Sequence, residues 1–476
     1  MVRYNKTNMK LYNTADKKVV ELDLEKTKPV KIYTCGPTVY DYPHIGNWYT
    51  FIRYDLLART LRASGFDVDW VMNITDVGHL VSDADDGEDK LEKGAKREHK
   101  TAQEVAEFYG DYFLKGIKRL NFSEINHLPK ATDYIKEQIN LISKLEEKGF
   151  IYKTSDGIYF DTSKFPKYAE FAGLNLGQQQ AGERVEINKE KRQESDFSVW
   201  KFSEPGQKRD MEWDSPWGIG FPGWHLECSA MIQAILGQPI DIHAGGIDHI
   251  AVHHTNEIAQ SEAAFGSPLS KYWMHCNHIL VNGKKMSKSD GTFITLEDIE
   301  ARGYSLDVFR FHVLSGHYRS QSEFSWELLE ASKTRLNRWL EIASLRWQPH
   351  ATNTGDESSI SESTTIELTK ILSDDLNTPE AFKYIEDVLI NIQNYISDLE
   401  VKSVSEFFEK IDSVFGTNIM KLTEDISEEQ KNVITERNKV RQLNDWAGSD
   451  KLRDKLLSES ITLRDTPNGT IWSRSI

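Results

Sequence analysis

Short β-branched runs alternate with helical apolar stripes over roughly the first half of the chain, and helical patterning takes over after it. Val30-Lys31-Ile32-Tyr33-Thr34 reads as a strand, and Asp67 to Ile74 as a second one ending at Thr75-Asp76. Between them, Trp48 to Leu61 carries Phe51, Ile52, Leu56, Leu57 and Leu61 at helical spacing. A strand, a Pro/Gly turn and a helix is how an α/β fold aims backbone N–H groups and a helix N-terminus at phosphate. Pro43-His44-Ile45-Gly46-Asn47 forms that turn here, with His44 and Asn47 flanking Gly46 so that both reach one anion. A further strand, Ile240-Asp241-Ile242-His243, enters Ala244-Gly245-Gly246-Ile247-Asp248 and is followed by a helix over 252–264. Ligands of open parallel sheets sit beyond the carboxyl ends of strands. Cys35, His44 and Thr75 occupy such places.

The pattern divides the chain. Residues 1–105 and 206–265 read as two halves of a Rossmann-like α/β domain, separated by an α+β segment over 106–205. In that segment Val105 to Leu120 and Asp133 to Lys148 are helical in pattern, and Ile151-Tyr152 and Ile158-Tyr159-Phe160 strand-like. Residues 266–345 turn mostly helical, Gln348 to Thr365 is a polar, Ser/Thr-rich linker, and Ile366 to about 422 is strongly helical. A last unit spans about 423–476. The run from Ser82 to Lys100 is so charged that it reads as a solvated face or mobile loop.

Composition narrows the class. A chain of 476 residues is too long for one core and implies two to four domains. Its 39% hydrophobic and 28% charged residues are those of a soluble globular protein. No apolar run approaches the roughly 20 residues of a membrane span, and no signal-peptide core opens the chain, so no membrane partner is expected. Three cysteines, Cys35, Cys228 and Cys276, do not make a disulfide framework and fit a reducing, cytoplasmic setting. The formal net charge of -16 runs against a generic polyanion binder. A nucleic-acid partner would have to be recognised through local basic patches, shape and base contacts.

The His44-Ile45-Gly46-Asn47 turn gains meaning from Gly283-Lys284-Lys285-Met286-Ser287-Lys288-Ser289. HIGN early and KMSKS late, in that order, resemble the paired signatures of class I aminoacyl-tRNA synthetases. Cys35, Pro222-Gly223-Trp224-His225-Leu226-Glu227-Cys228 and His253-His254-Thr255-Asn256-Glu257 narrow the resemblance to the cysteinyl-tRNA synthetase family, over nearly the whole chain. In that family 106–205 is the connecting insertion, 266–345 bears the KMSKS loop, 346–422 is a helical bundle and 423–476 the anticodon-binding domain. The stretch Asp375-Leu376-Asn377-Thr378-Pro379-Glu380 resembles the opening of the bundle. The resemblance implies ATP-dependent ligation of L-cysteine to tRNA(Cys) through a cysteinyl-adenylate, by a monomer, with Mg²⁺ accompanying ATP. Lys285 and Lys288 would neutralise charge on the phosphates, His44, Gly46 and Asn47 would hold the other side, and Gly245, Gly246 and Asp248 would take the nucleoside. The commonest form of the first signature ends in histidine; Asn47 stands there instead, and it can donate to phosphate without carrying charge.

A metal is implied as well. His253 and Glu257 are spaced i, i+4 and share a helix face. Thiolate, imidazole and carboxylate are all zinc donors, although spacing alone leaves each buried cysteine open to being a small hydrophobe. The resemblance assigns Zn²⁺ to Cys35, Cys228, His253 and Glu257, with His254 outside the ligand set and Cys276 in the core. Such a zinc would select a substrate thiolate over the hydroxyl of serine. Trp224 would wall the cysteine pocket and Thr75 would position the substrate's polar groups. Two thiolates, a carboxylate and Zn²⁺ sum to -1, so an arriving thiolate makes -2, and Glu257 is expected to lengthen or leave. In the tail, Arg437, Lys439 and Arg441 precede Asn444-Asp445-Trp446, a pattern suited to splayed anticodon bases, and Trp472 closes the segment. Two rivals remain: a cysteine ligase acting on an aminosugar, as in mycothiol biosynthesis, and a non-catalytic zinc-containing nucleotide- or RNA-binding paralogue.

Overall fold

The structure, a computed structural model, describes residues 8–78, 90–173, 190–203, 206, 209–284, 286, 291–348, 362–395, 401–466 and 469–474. It opens with an antiparallel hairpin, β1 (Lys10–Asn13) and β2 (Lys18–Glu21). Then come β3 (Val30–Thr34), α1 (Ile45–Ala63) and β4 (Val68–Met72). Strand β3 matches its expected span. Helix α1 begins three residues before its apolar stripe because His44 caps it. The His44 Nδ1 accepts from the N–H groups of Gly46 (3.0 Å) and Asn47 (3.3 Å), and Asn47 Oδ1 accepts from the His44 N–H at 3.1 Å. This reciprocal box satisfies helix donors that would otherwise lack partners.

The run 82–100 divides. Residues 82–89 lie outside the described residues, and α2 (Lys90–Glu98) replaces the expected solvated loop. Leu91 and Ala95, one helical turn apart, are its buried stripe. After α3 (Ala102–Arg119) and α4 (Ile135–Glu147) comes an antiparallel sheet ordered β5-β6-β7-β8, made of Ile151–Lys153, Gly157–Phe160, Phe197–Phe202 and Gly220–Pro222. Leu141, Ile142, Ile158, Phe160, Val199 and Trp200 pack this part into one core with Leu226, Ala230, Ala259 and Ala263 of the returning helices.

The chain returns through α5 (Trp224–Ile235), β9 (Ile240–Gly246), α6 (Thr255–Phe265) and β10 (Ser270–Cys276). Strands β10, β9, β3 and β4, in that order, form one parallel sheet. The chain departs to opposite sides of β3 and β9, which makes their carboxyl ends the switch point where doubly wound sheets bind ligands. The helix expected over 252–264 is different at its start: a wide π-helical turn over Ile250–His254 precedes α6. Turns of this kind recur at functional sites, and here both His253 and His254 are buried.

Beyond the sheet, β11 (Ile279–Val281) pairs in parallel with β12 (Ser322–Phe324), around α7 (Leu296–Ala301) and α8 (Leu306–Leu314). The remaining helices are α9 (Trp326–Ser344), α10 (Glu362–Leu372), α11 (Thr378–Tyr395), α12 (Val401–Phe415) and α13 (Ile419–Leu422). A buried ionic knot ties them to the nucleotide fold. Asp55 of α1 receives Arg59 (2.7 Å) and Arg310 of α8. Arg310 also donates to the carbonyls of Leu120 (2.9 Å) and Phe415 (2.6 Å). Burial alone would raise the Asp55 carboxyl, but the two guanidinium charges outweigh it and hold it at about 2.

The tail comprises α14 (Glu428–Gln442), α15 (Trp446–Ser458) and a hairpin of β13 (Ile461–Thr466) with β14 (Gly469–Arg474). Ile426, Val433, Ile434, Leu456, Ile461, Leu463 and Trp472 form its small separate core. Gln348, the first residue of the expected linker, is buried and donates to the Trp472 carbonyl at 2.9 Å. The rest of that segment through 361 lies outside the described residues.

Candidate active site and metal centre

A cleft of about 530 Å³ opens at the carboxyl ends of β3, β4 and β9. Cys35, Thr75, Trp224, Cys228 and His253 line its floor, and His44, Asn47, Gly246, Asp248, Met286 and Phe293 line the rest. Nine of the sequence-predicted residues therefore converge from far apart in the chain: Cys35, His44, Asn47, Thr75, Trp224, Cys228, Gly246, Asp248 and His253.

On the floor, donor atoms of Cys35, Cys228, His253 and Glu257 lie within 4.8 Å of one another, and all four side chains are buried. Cys35 follows β3, Cys228 sits in α5, and the continuous run from the wide turn into α6 supplies His253 and then Glu257. The His253 Nε2 is 2.9 Å from Glu257 Oε1, as the i, i+4 spacing requires. Burial, with Cys228 and Glu257 adding to it, pushes the Cys35 thiol well up. Burial would lower His253, but Glu257 and Cys228 outweigh it and raise it to about 10. For Glu257 burial works upward, while His243 and His253 hold its carboxyl well below the usual range. Two sulfurs, an imidazole and a carboxylate crowded into a dry corner are stabilised by exchanging protons for a divalent cation. The donor set and its count of four fit zinc.

Around these four stands a ring of histidines. His243 Nε2 meets Glu257 Oε2 at 2.9 Å, His225 Nδ1 meets His253 Nδ1 at 2.9 Å, and His254 Nε2 lies 3.3 Å from Cys35 Sγ. Cys35, His243, His254 and Glu257 also bring their donor atoms within 4.8 Å of one another. Each extra histidine contacts a member of the first set, which is how outer partners orient metal ligands. Glu257 is thus anchored through Oε2 by His243, while its Oε1 faces His253 Nε2 at 2.9 Å. The wall is aromatic: the Trp224 ring centroid is 4.7 Å from that of His253. Thr75 Oγ1 donates to Glu227 Oε2 and accepts from Asn73 Nδ2, each at 3.0 Å.

The opposite side of the cleft is built by the α1 cap. Because Nδ1 of His44 accepts two backbone N–H groups, the ring carries its proton on Nε2. Burial lowers this histidine to about 4, so it is neutral at pH 7. Ile45 N–H donates to the Ile294 carbonyl at 2.8 Å, and Phe293 packs edge-on against His44 at 5.5 Å. A Cβ on Gly46 would sit 2.7 Å from the Met286 Cε, so glycine lets the second signature dock on the first. Lys285, Ser287, Lys288 and Ser289 lie outside the described residues. A Cβ on Gly245 would strike the His254 ring at 2.5 Å, and one on Gly246 would strike Asp248 Oδ1 at 2.4 Å. Of these two glycines, only Gly246 lines the cleft.

The class I (C) tRNA synthetase catalytic-domain model matches residues 21–334. Cysteine-tRNA ligase of Treponema denticola is 41% identical, covering 98% of this chain and all of its own. Cysteine-tRNA ligase 1 of Burkholderia lata is 41% identical, over 96% of this chain and 95% of its own. The Chlorobium chlorochromatii cysteine-tRNA ligase is 38% identical over 93% and 95%. The chain belongs to the cysteine-tRNA ligase family. Its fold is similar to Mycobacterium tuberculosis methionyl-tRNA synthetase in complex with methionyl-adenylate, with a TM-score of 0.62 over 83% of this chain and 93% of that one, at 16% identity.

Within this member of the cysteine-tRNA ligases, the tail differs from its sequence expectation. Arg437 is buried and held by Asp465 in a two-pronged pair, 2.8 and 2.9 Å, so it braces the tail and offers no free edge. Trp472 is likewise core. Leu443 and Trp446 are 80% and 57% exposed, and the Arg441 guanidinium lies 5.7 Å from the Trp446 ring. Sequence reasoning singled out His253 and His254 but passed over His225, His243, His249 and His275 as a group. Six histidines between 225 and 275 were the available signal. Among the described residues no helix is long and apolar enough to cross a membrane.

Proposed function

We propose that the chain ligates L-cysteine to tRNA(Cys) in two steps, with the substrate's sulfur recognised at the buried Cys/His/Glu corner. The observation that carries this reading is the meeting of Cys35, Cys228, His253 and Glu257 on the floor of a cleft whose other side is the capped HIGN turn. In the first step the cysteine carboxylate attacks the α-phosphorus of ATP, and the bond to pyrophosphate breaks. In the second, a hydroxyl of the terminal ribose of tRNA takes the acyl group from the adenylate. Cys35, Cys228, His253 and Glu257 would hold Zn²⁺, which would supply a Lewis acid that favours a thiolate far over a neutral hydroxyl and so separate cysteine from serine without a second, editing site.

The chain's own groups do the positioning. Trp224 closes over the side chain, and Thr75, steadied by Asn73 and Glu227, orients the polar end. His44 donates to phosphate through Nε2–H, and the Asn47 amide and the N-terminus of α1 add donors without a further charge. Lys285 and Lys288 then neutralise charge developing on the phosphates, with Mg²⁺ accompanying ATP. Gly246 and Asp248, packed through Gly245 against His254, receive the nucleoside. The tail reads tRNA through the exposed Trp446, with the half-buried Arg441 beside it and braced by Asp465, where an unstacked base finds an aromatic face. Three buried free thiols suit a reducing, cytoplasmic setting, where we read the chain as acting as a monomer.

Cysteine-dependent ATP–pyrophosphate exchange, followed by charging of tRNA, tests the reading. Exchange and charging are both expected. Exchange without tRNA charging would point to a ligase for another acceptor such as an aminosugar. No exchange would leave a binding protein.

A further inference from the structure

A line of hydrogen bonds leaves the metal corner and ends outside the nucleotide fold. His254 Nε2 lies 3.3 Å from Cys35 Sγ, His254 Nδ1 is 2.8 Å from His275 Nε2, and His275 Nδ1 is 2.7 Å from Thr14 Oγ1. Both imidazoles are buried, and Thr14 is half-buried in the turn of the β1–β2 hairpin. That hairpin is fastened to β10, next to His275: Thr14 N–H donates to the Trp273 carbonyl and Trp273 N–H to Asn13 Oδ1, both at 2.9 Å.

We infer that Thr14 is a positioning residue for the metal centre: its hydroxyl sets the direction of the His275–His254 chain that ends on the Cys35 sulfur. The inference rests on the zinc reading above. A metal-bound thiolate has lone pairs and no proton, so it only accepts. His254 must then carry its hydrogen on Nε2 and accept at Nδ1. A neutral imidazole has one N–H, so His275 donates from Nε2 and accepts at Nδ1. Only a hydroxyl that donates completes the line, and Thr14 supplies it. The 2.8 Å contact between His254 Nδ1 and His275 Nε2 requires one of the two nitrogens to carry no hydrogen, so the two rings are not both doubly protonated. The N–H···S bond withdraws charge from the Cys35 sulfur at the place where a second, substrate thiolate would add it. This offsets part of the excess negative charge with Glu257 remaining in place.

The test uses full-length, zinc-loaded protein. Long-range proton–nitrogen spectra of ¹⁵N-histidine protein, assigned with His254→Gln and His275→Gln, should show both rings protonated on Nε2. Zinc affinity is then measured by chelator competition in Thr14→Val and Thr14→Ser. Valine keeps the shape and cannot donate; it should weaken zinc binding about ten-fold, the lower end for outer partners, and scramble the His275 tautomer. Serine should restore both. A His275 ring protonated on Nδ1 in the unmodified protein overturns the inference without any variant, as does unchanged zinc affinity in Thr14→Val. If the unmodified protein takes up no zinc, the metal reading itself fails and this inference falls with it.

Discussion

The floor of the cleft and the tail are both small clusters of polar and aromatic side chains, yet they are built in opposite ways. On the floor, Cys35, Cys228, His253 and Glu257 come from three separate elements and are almost wholly out of water. In the tail, 426–472 makes its own core, and Leu443 and Trp446 project into solvent. A buried cluster can enforce chemistry because every donor is oriented by another, as His243 orients Glu257 and His225 orients His253. An exposed platform can only offer a surface, and its selectivity depends on what settles there. The two regions should accordingly fail differently.

The largest effect is expected from Cys228→Ser, which removes a ligand outright. Metal content should fall, and cysteine-dependent exchange should drop by more than the roughly 100-fold that marks the loss of an outer partner. Normal exchange in a metal-poor variant would break the contrast at its root. Arg437→Ala leaves Asp465, which is partly exposed, with Arg441 alone and should loosen the tail by about 2 kcal/mol, the scale of hydrogen bonds to a charged group. Its signature is a new low-temperature melting step with exchange unchanged. If exchange falls in parallel, the tail and floor are not energetically separate.

The knot between the nucleotide fold and the helices beyond it sets the acid limit. Asp55 sits at about 2 in the folded chain, below its unfolded value of about 3.9. Its contribution of about 2 kcal/mol is therefore fully present above the unfolded value and is lost as pH falls toward 2. Arg310→Met should remove that acid-sensitive component from the melting curve. Trp446→Ala should raise the KM for tRNA about ten-fold, the scale of one lost base stack, with the KM for cysteine unmoved. Metal uptake carries the remaining pH dependence. His253 is raised to about 10 without metal and must lose its proton to bind one. Zinc affinity should rise with pH between 6 and 8 by up to about ten-fold per unit per proton displaced. A flat profile would mean that the ligands are already deprotonated.

Much of this was legible along the chain. Strand β3 and the HIGN turn follow from local pattern, whereas Cys35, Cys228, His253 and Glu257 were singled out by the family resemblance, and the fold brings their donor atoms within 4.8 Å of one another. The start of α1 needed only the capping logic of His44 and Asn47. Other features resisted reading. The charged residues 90–98 form a helix because Leu91 and Ala95 find a buried face, which charge density conceals. Arg437 looks like a surface reader until Asp465, 28 residues on, takes both of its prongs. The histidines outside the ligand set give no local sign of their roles, since each is defined by a partner on another element.

The order of strands, turns and chemically distinctive side chains thus belongs to the sequence itself, because backbone preference and side-chain reactivity are local properties. Which nitrogen faces which sulfur, whether an arginine is a brace or a reader, and how a threonine at position 14 comes to touch a histidine at 275 were decided only by folding. Hydrogen-bond direction and burial are relations between distant residues, and no stretch of chain contains them until the sheet brings its strand ends together.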